Sequence, residues 1–197
     1  MNDYKLLTLS GAELEPWLDH VAALRIRVFR DFPYLYDGSL EYEAKYLRTY
    51  VETDSAVCVL ALNGEQVVGA STGLALADET EEFRRPFEQS GWNVDDIFYC
   101  AESVLLPEHR GAGFYKGFFR EREAQAHALG KSISVFCAVQ RPQDHPLKPA
   151  DYQPLDAIWQ HFGYNAEAGL LTEFSWKDVG DAEETAKPMQ FYLKQLV

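Results

Sequence analysis

The sequence contains no run of about 18 apolar residues, the length a bilayer-crossing helix requires, so no membrane span and no membrane partner is expected. Met1 to Leu9 lack the basic and apolar regions of a secretory signal. Cysteine is scarce: Cys58, Cys100 and Cys137 are far apart, each in an apolar stretch, with no C-x-x-C spacing. That pattern supports neither a disulfide framework nor a zinc site, and a cytoplasmic, reducing setting fits it best. Positive charge is also short, with 18 Lys and Arg against 31 Asp and Glu and a formal net charge of −13. A nucleic-acid partner, which needs a concentrated basic surface, is therefore not expected. The acidic excess suits either a cationic partner or simple solubility. No histidine cluster has metal-ligand spacing and no Ser/His/Asp arrangement emerges, so no metal is expected.

What is present is the composition of a globular protein, 47% hydrophobic and 25% charged, over 197 residues. This length fits one domain, residues 1–197. Ser10-x-x-Glu13 is a helix-start signature, followed by Trp17, Val21, Leu24 and Val28 on one helical face. A second helix is expected from Ser39 to about Arg48, with Tyr42 and Tyr46 one turn apart. Val57–Leu62, Asn63-Gly64 and Val67–Thr72 read as a hairpin turning on Asn-Gly. The acidic segment 77–96 reads as a helix-plus-loop insertion that acts as a lid. Ile97–Leu106 and Ser132–Val139 are strands, separated by a helix that Gly130 ends. Asp151 caps a last helix whose apolar face is Leu155, Ile158, Trp159 and Phe162. Leu170–Trp176 and Met189–Leu196 form a closing strand pair joined by the polar stretch Lys177–Pro188. The order ααββ(α)βαβαββ implies a mixed sheet in one α/β (α+β) domain.

The segment that carries chemistry is Arg110-Gly111-Ala112-Gly113-Phe114-Tyr115, between a strand and a helix. A glycine-rich turn opening a helix presents unpaired N–H groups at the positive end of the helix dipole, a site for phosphate or pyrophosphate. Gly111 and Gly113 let a ligand approach the backbone. There is no G-x-x-x-x-G-K-[ST], and the preceding hairpin is not a βαβ opening, so P-loop and dinucleotide-binding arrangements fit poorly.

With Leu-Pro-Glu-His-Arg-Gly leading into Gly113, this segment resembles the acyl-CoA signature of the GNAT-type N-acetyltransferase superfamily, [Q/R]-x-x-G-x-[G/A]. Tyr115 stands where that signature has Gly or Ala. Trp159-Gln-His-Phe-Gly163-Tyr164 resembles the family's second hallmark, a helix ending in Gly-Phe or Gly-Tyr, and the element order matches from Ser10 to the last strand.

The resemblance implies a single domain built on a mostly antiparallel sheet, with parallel strands 4 and 5 splaying to admit acetyl-CoA. Backbone groups of Val104, Leu105 and Leu106 would hold the pantetheine arm and polarise the thioester. The amides of Arg110, Gly111, Ala112, Gly113, Phe114 and Tyr115 would hold the pyrophosphate. The acyl group would pass directly to a primary amine. Glu102, a charged residue within an apolar strand, is the candidate base. The tyrosine that many relatives place before the second hallmark is here Trp159, so Tyr152, two turns earlier on that helix, is the candidate acid, with Cys137 and His145 behind it. Tyr34, Tyr36 and Asp37, in the loop that covers the acceptor in the family, are candidate substrate-binding residues. Aromatic rings beside carboxylates suit a small cationic amine. The final hairpin would support a homodimer. The alternative function is a catalytically silent acyl-CoA-binding or protein-interaction module on the same fold.

Overall fold

A computed structural model describes residues 3–196. Seven strands form one sheet: β1 Tyr4–Leu9, β2 Val57–Asn63, β3 Gln66–Ala75, β4 Ile97–Leu105, β5 Ile133–Val139, β6 Asn165–Lys177 and β7 Glu184–Gln195. Their order across the sheet is β1-β2-β3-β4-β5-β7-β6. Only β4 and β5 run parallel; every other neighbouring pair is antiparallel. The helices are α1 Leu18–Phe29, α2 Leu40–Glu52, α3 Glu81–Gln89, α4 Phe114–Ala128 and α5 Asp156–His161. Helices α1 and α2 pack on one another, with α1 against β3 and β4, while α4 packs against β1 to β5.

Burial explains why the central strands are easy to find. β2, β3 and β5 are buried along almost their whole length, so their sequences are near-continuous apolar runs. Strand β1 is an edge, mostly half-exposed, and YKLLTL carries neither a clean alternation nor a turn signal. The expected order lacks it for that reason. The β2–β3 hairpin is present, but Asn63 pairs with Gln66, so the two-residue loop is Gly64-Glu65 rather than Asn63-Gly64. Gly64, at φ 61°, supplies the one positive φ that a turn with glycine first requires.

Several other expectations change. Helix α1 is preceded by a 3₁₀ segment, Gly11–Trp17, in which the Ser10 amide donates to Glu13 Oε2 at 3.3 Å. The last helix starts at Asp156, and Asp151 does not cap it. Leu155 and Ile158 are 40% and 43% exposed, so only the Trp159 and Phe162 half of the expected apolar face packs on the core. The closing strands are longer than read, and the segment joining them shrinks to residues 178–183. The 77–96 insertion is no free lid: Phe83 of α3 lies against Tyr99 and Phe174, at ring separations of 4.8 and 4.4 Å. No helix among the described residues is long and apolar enough to cross a membrane.

Candidate active site

The ladder between β4 and β5 is short, pairing only Ile97, Phe98 and Tyr99 with Ile133, Ser134 and Val135. Beyond these residues the two strands separate, as the resemblance implies. On its other side β4 stays bonded to β3, with a register shift that leaves Ala101 as a bulge between Cys100 and Glu102. The Leu106 amide donates to the Val68 carbonyl at 2.9 Å. By the alternation of an antiparallel ladder, the backbone groups of Leu105 and Ser103 then turn away from β3, toward the gap. The backbone groups of Val104 and Leu106 face β3 instead, and their side chains are 0% and 3% exposed.

The gap opens into a cleft of about 90 Å³. Cys100 to Ser103 form one wall and Phe136, Cys137 and Ala138 the other. Phe29 and Tyr34 close it from the α1 side, and Tyr115, Phe119, Trp159 and Leu155 from the α4–α5 side. Residues of both sheet faces therefore line one passage.

β4 runs into α4 through the glycine-rich turn, and Tyr115 in the first turn of α4 lines the cleft. Gly111 and Gly113 have φ of 77° and 84°, and Gly113 is the residue immediately before the helix. A Cβ at either position would meet no atom within 4 Å, so it is the backbone conformation, not lack of space, that calls for glycine. Arg110, Gly111, Ala112 and Gly113 are exposed. The first-turn amides, Phe114 and Tyr115 among them, have no acceptor within a helix of 15 residues. The donor set fits a pyrophosphate: open glycines, helix-start amides and an exposed arginine. The Phe114 side chain itself is core, edge-on to Tyr4 at 5.0 Å. Arg120 is engaged by its neighbour Glu121 at 2.6 Å.

Tyr115 and Trp159, the two departures from the family pattern, meet. Trp159 Nε1–H donates to Tyr115 Oη at 2.9 Å, tying α4 to α5 at the wall of the cleft. Each departure supplies the other's hydrogen-bond partner.

On the α1–α2 side the structure assembles an ionic cluster that the sequence did not disclose. Arg25 of α1 pairs with Glu43 of α2 at 2.5 Å and with Glu102 of β4 at 2.6 Å. All three are buried. Two carboxylates around one guanidinium leave one net negative charge. Burial alone would lower the Arg25 pKa, but Glu102 and Glu43 reverse this and hold it well above the usual value. The Arg25 guanidinium also lies over the Tyr46 ring, 4.4 Å from its centroid. Tyr46 Oη donates to Glu102 Oε2 at 3.1 Å and is 2.8 Å from Tyr50 Oη. Glu102 thus lines the cleft and is salt-bridged at the same time. Near it Glu79 is a further carboxyl: burial, partly relieved by the Thr80 amide and reinforced by Glu102 and Asp78, raises its pKa to about 7.

The remaining expected residues divide. Tyr34 lines the cleft. Tyr36 lies near Glu43, and its pKa is pushed well up, first by burial and then by that carboxylate. Asp37 pairs with Arg30 and Lys177, at 3.0 and 2.7 Å. Those two bonds outweigh burial and lower its pKa. Tyr152 is not on α5 and does not line the cleft; it lies in the preceding loop, edge-on to Phe32 at 4.7 Å. His145 sits on the other side of Phe32, at 5.6 Å. Cys137 is in the cleft wall, its thiol pushed up to about 12 by burial. Among the described residues no group of three or more His, Cys, Asp or Glu is placed to hold a metal.

No family model matches the sequence, and no curated protein matches it. Solved structures do match. The acetyltransferase of GNAT family from Streptococcus pneumoniae is 16% identical with a TM-score of 0.59, covering 98% of this chain and 100% of that one. The ribosomal-protein-alanine N-acetyltransferase from Brucella melitensis is 15% identical with a TM-score of 0.61, covering 96% and 99%. A GNAT family acetyltransferase from Elizabethkingia anophelis, solved with acetyl-CoA bound, is 11% identical with a TM-score of 0.53 and covers both chains fully. End-to-end matches of this kind, on a sheet whose parallel fourth and fifth strands diverge, show that the chain has the fold of the GNAT-family acetyltransferases.

Proposed function

We propose that this protein is an N-acyltransferase that moves an acetyl group from acetyl-CoA to the primary amine of a small cationic acceptor. One observation carries this proposal: the cleft between the diverging strands is lined both by Tyr115, in the first turn of the helix that follows the glycine-rich turn, and by Glu102 of the buried acidic cluster. When bound, acetyl-CoA supplies the activated thioester. The amides from Arg110 to Tyr115 hold its pyrophosphate, and the backbone groups of Ser103 and Leu105 run beside its arm.

The Glu102 wall of the cleft is built for a cation. Arg25 is shared between Glu43 and Glu102, so the cluster favours a positive charge at its edge, and the Tyr34, Tyr36 and Tyr46 rings add π-faces. An amine arrives mostly protonated at neutral pH and needs an acceptor for that proton before it attacks. Glu102, in the cleft wall, is that acceptor. Arg25 holds its Oε1 at 2.6 Å, and Tyr46 donates to its Oε2 at 3.1 Å.

Thiol release from acetyl-CoA across a panel of amines tests this directly. Turnover with polyamines, amino sugars or amino acid derivatives, and a fall of roughly 100-fold with Glu102→Gln, is the expected result. Turnover confined to neutral or anionic acceptors would remove the cationic reading. The Tyr115–Trp159 tie and the narrow cleft favour a second reading, a silent acyl-CoA-binding module. CoA binding without thiol release from any amine, and with Glu102→Gln inert, would establish that reading instead.

A further inference from the structure

The loop carrying Tyr34 is held by more bonds than a surface connection requires. The Tyr34 carbonyl accepts from Arg141 Nη2 at 2.7 Å and from Trp176 Nε1 at 3.0 Å. The Pro33 carbonyl accepts from Arg141 Nε at 2.8 Å. The same guanidinium grips Asp178 through two bonds, of 2.7 and 2.9 Å, and Lys187 reaches Asp178 from the other side at 3.3 Å. The next residue, Leu35, adopts φ 53°, a conformation that leucine avoids. It is fixed there by bonds at both ends: its amide to the Asp31 carbonyl at 3.0 Å, and its own carbonyl to the Val179 amide at 2.7 Å. Strain of this kind persists only where the surroundings over-determine it, and it concentrates at functional positions.

This apparatus delivers one side chain to the cleft. The Tyr34 ring lies against Phe29, 4.7 Å between centroids, and forms part of the cleft lining with Glu102, Tyr115 and Cys137. Arg141 follows the end of β5 by two residues, so the strand that forms one wall also carries the residue that anchors the tyrosine. The loop that would carry a substrate contact therefore moves with the wall and not independently of it.

We propose that Tyr34 is a catalytic hydrogen-bond donor, directed at the sulfur that leaves in acyl transfer, and that Arg141, with Asp178 and Trp176, is its positioning residue. The proposal rests on the acyltransferase reading above and adds a donor that neither Trp159 nor Tyr152 supplies. Burial raises the hydroxyl's pKa strongly, and neighbouring Cys137, Tyr115 and Glu102 add to this against the Val139 amide. Tyr34 therefore keeps its proton at every working pH. As the amine nitrogen bonds the acetyl carbon and the C–S bond breaks, sulfur leaves as a thiolate that accepts a hydrogen bond from Tyr34, and the proton that the new amide nitrogen sheds passes to solvent.

The test is isothermal titration of CoA into wild type, Tyr34→Phe and Arg141→Lys between pH 6 and pH 9, with thiol-release kinetics alongside. A donor at the sulfur favours the thiolate, so wild-type affinity for CoA should rise as its thiol ionises, near pH 8.5. Tyr34→Phe should match wild type at pH 6, lack this rise, and lose roughly 100-fold in kcat with the acetyl-CoA KM little changed. Arg141→Lys keeps the charge without the two-pronged grip and should blunt the same rise while CoA still binds at pH 6. A purely structural role for Arg141 would instead lower Tm and leave the pH dependence intact. Identical pH dependence and kcat in wild type and Tyr34→Phe would overturn the proposal. Wild type that binds no CoA at any pH would overturn the acyltransferase reading, and this inference with it.

Discussion

Glu102 shows why a single residue can be legible in sequence while its situation is not. A carboxylate inside Ile97–Leu106 stands out because an apolar strand tolerates it only when it is paired or useful. Its partners come from helices that the sequence gives no reason to bring together. Arg25 on α1 and Glu43 on α2 are far from it in sequence, yet both are buried against it. Removing the shared cation should be severe: Arg25→Met leaves two facing buried carboxylates and is expected to cost about 3–5 kcal/mol in urea unfolding. A loss under about 1 kcal/mol would mean that the cluster is not buried as described. Glu79 offers a pH test of the same region. Its folded pKa, raised to about 7, means that the native state holds this proton more tightly than the unfolded chain does. The stabilisation is complete below the ordinary glutamate range and is lost as pH rises through about 7. Glu79→Gln should flatten the decline in stability between pH 5 and pH 8; unchanged slopes would contradict the assignment.

Among the elements, those with local signals were readable and those defined by their neighbours were not. The glycine turn into α4 is written in adjacent residues, and its conformation matches: Gly113 at φ 84° requires what glycine provides. The edge strand β1 carries no such signal, because a half-exposed edge needs no strict alternation. Helix α5 misled for the opposite reason. Its i, i+3, i+4, i+7 spacing is real, but Leu155 and Ile158 face water where the helix borders the cleft. The α4–α5 tie was likewise hidden, since nothing in sequence pairs Tyr115 with Trp159. Trp159→Phe keeps the ring and removes the donor. It should cost about 1 kcal/mol and speed CoA association in stopped-flow fluorescence by freeing that wall of the cleft. Loss of stability without faster association would show the bond to be a brace only.

At the scale of the molecule, the charge of −13 acquires a location. The proposed cofactor site would use backbone amides and Arg110, and so would need few basic side chains. The carboxylates that are hardest to explain as solubilising, Glu43, Glu79 and Glu102, lie near one another, and Glu102 lines the cleft. Part of the excess is spent elsewhere: Asp37 is neutralised by Arg30 and Lys177, and Asp178 by Arg141 and Lys187. One cleft lined by Tyr115 of the helix start and by Glu102 of the acidic cluster is the arrangement that the proposed reaction asks for. Its most direct test is calorimetric titration of acetyl-CoA into the wild-type protein and Gly113→Val. Valine at φ 84° distorts the amide cradle while leaving the core untouched. The account predicts saturable one-to-one binding by wild type and at least about 10-fold weaker binding by the variant, with its fold retained. No binding by wild type at millimolar acetyl-CoA, or equal binding by both proteins, would contradict it.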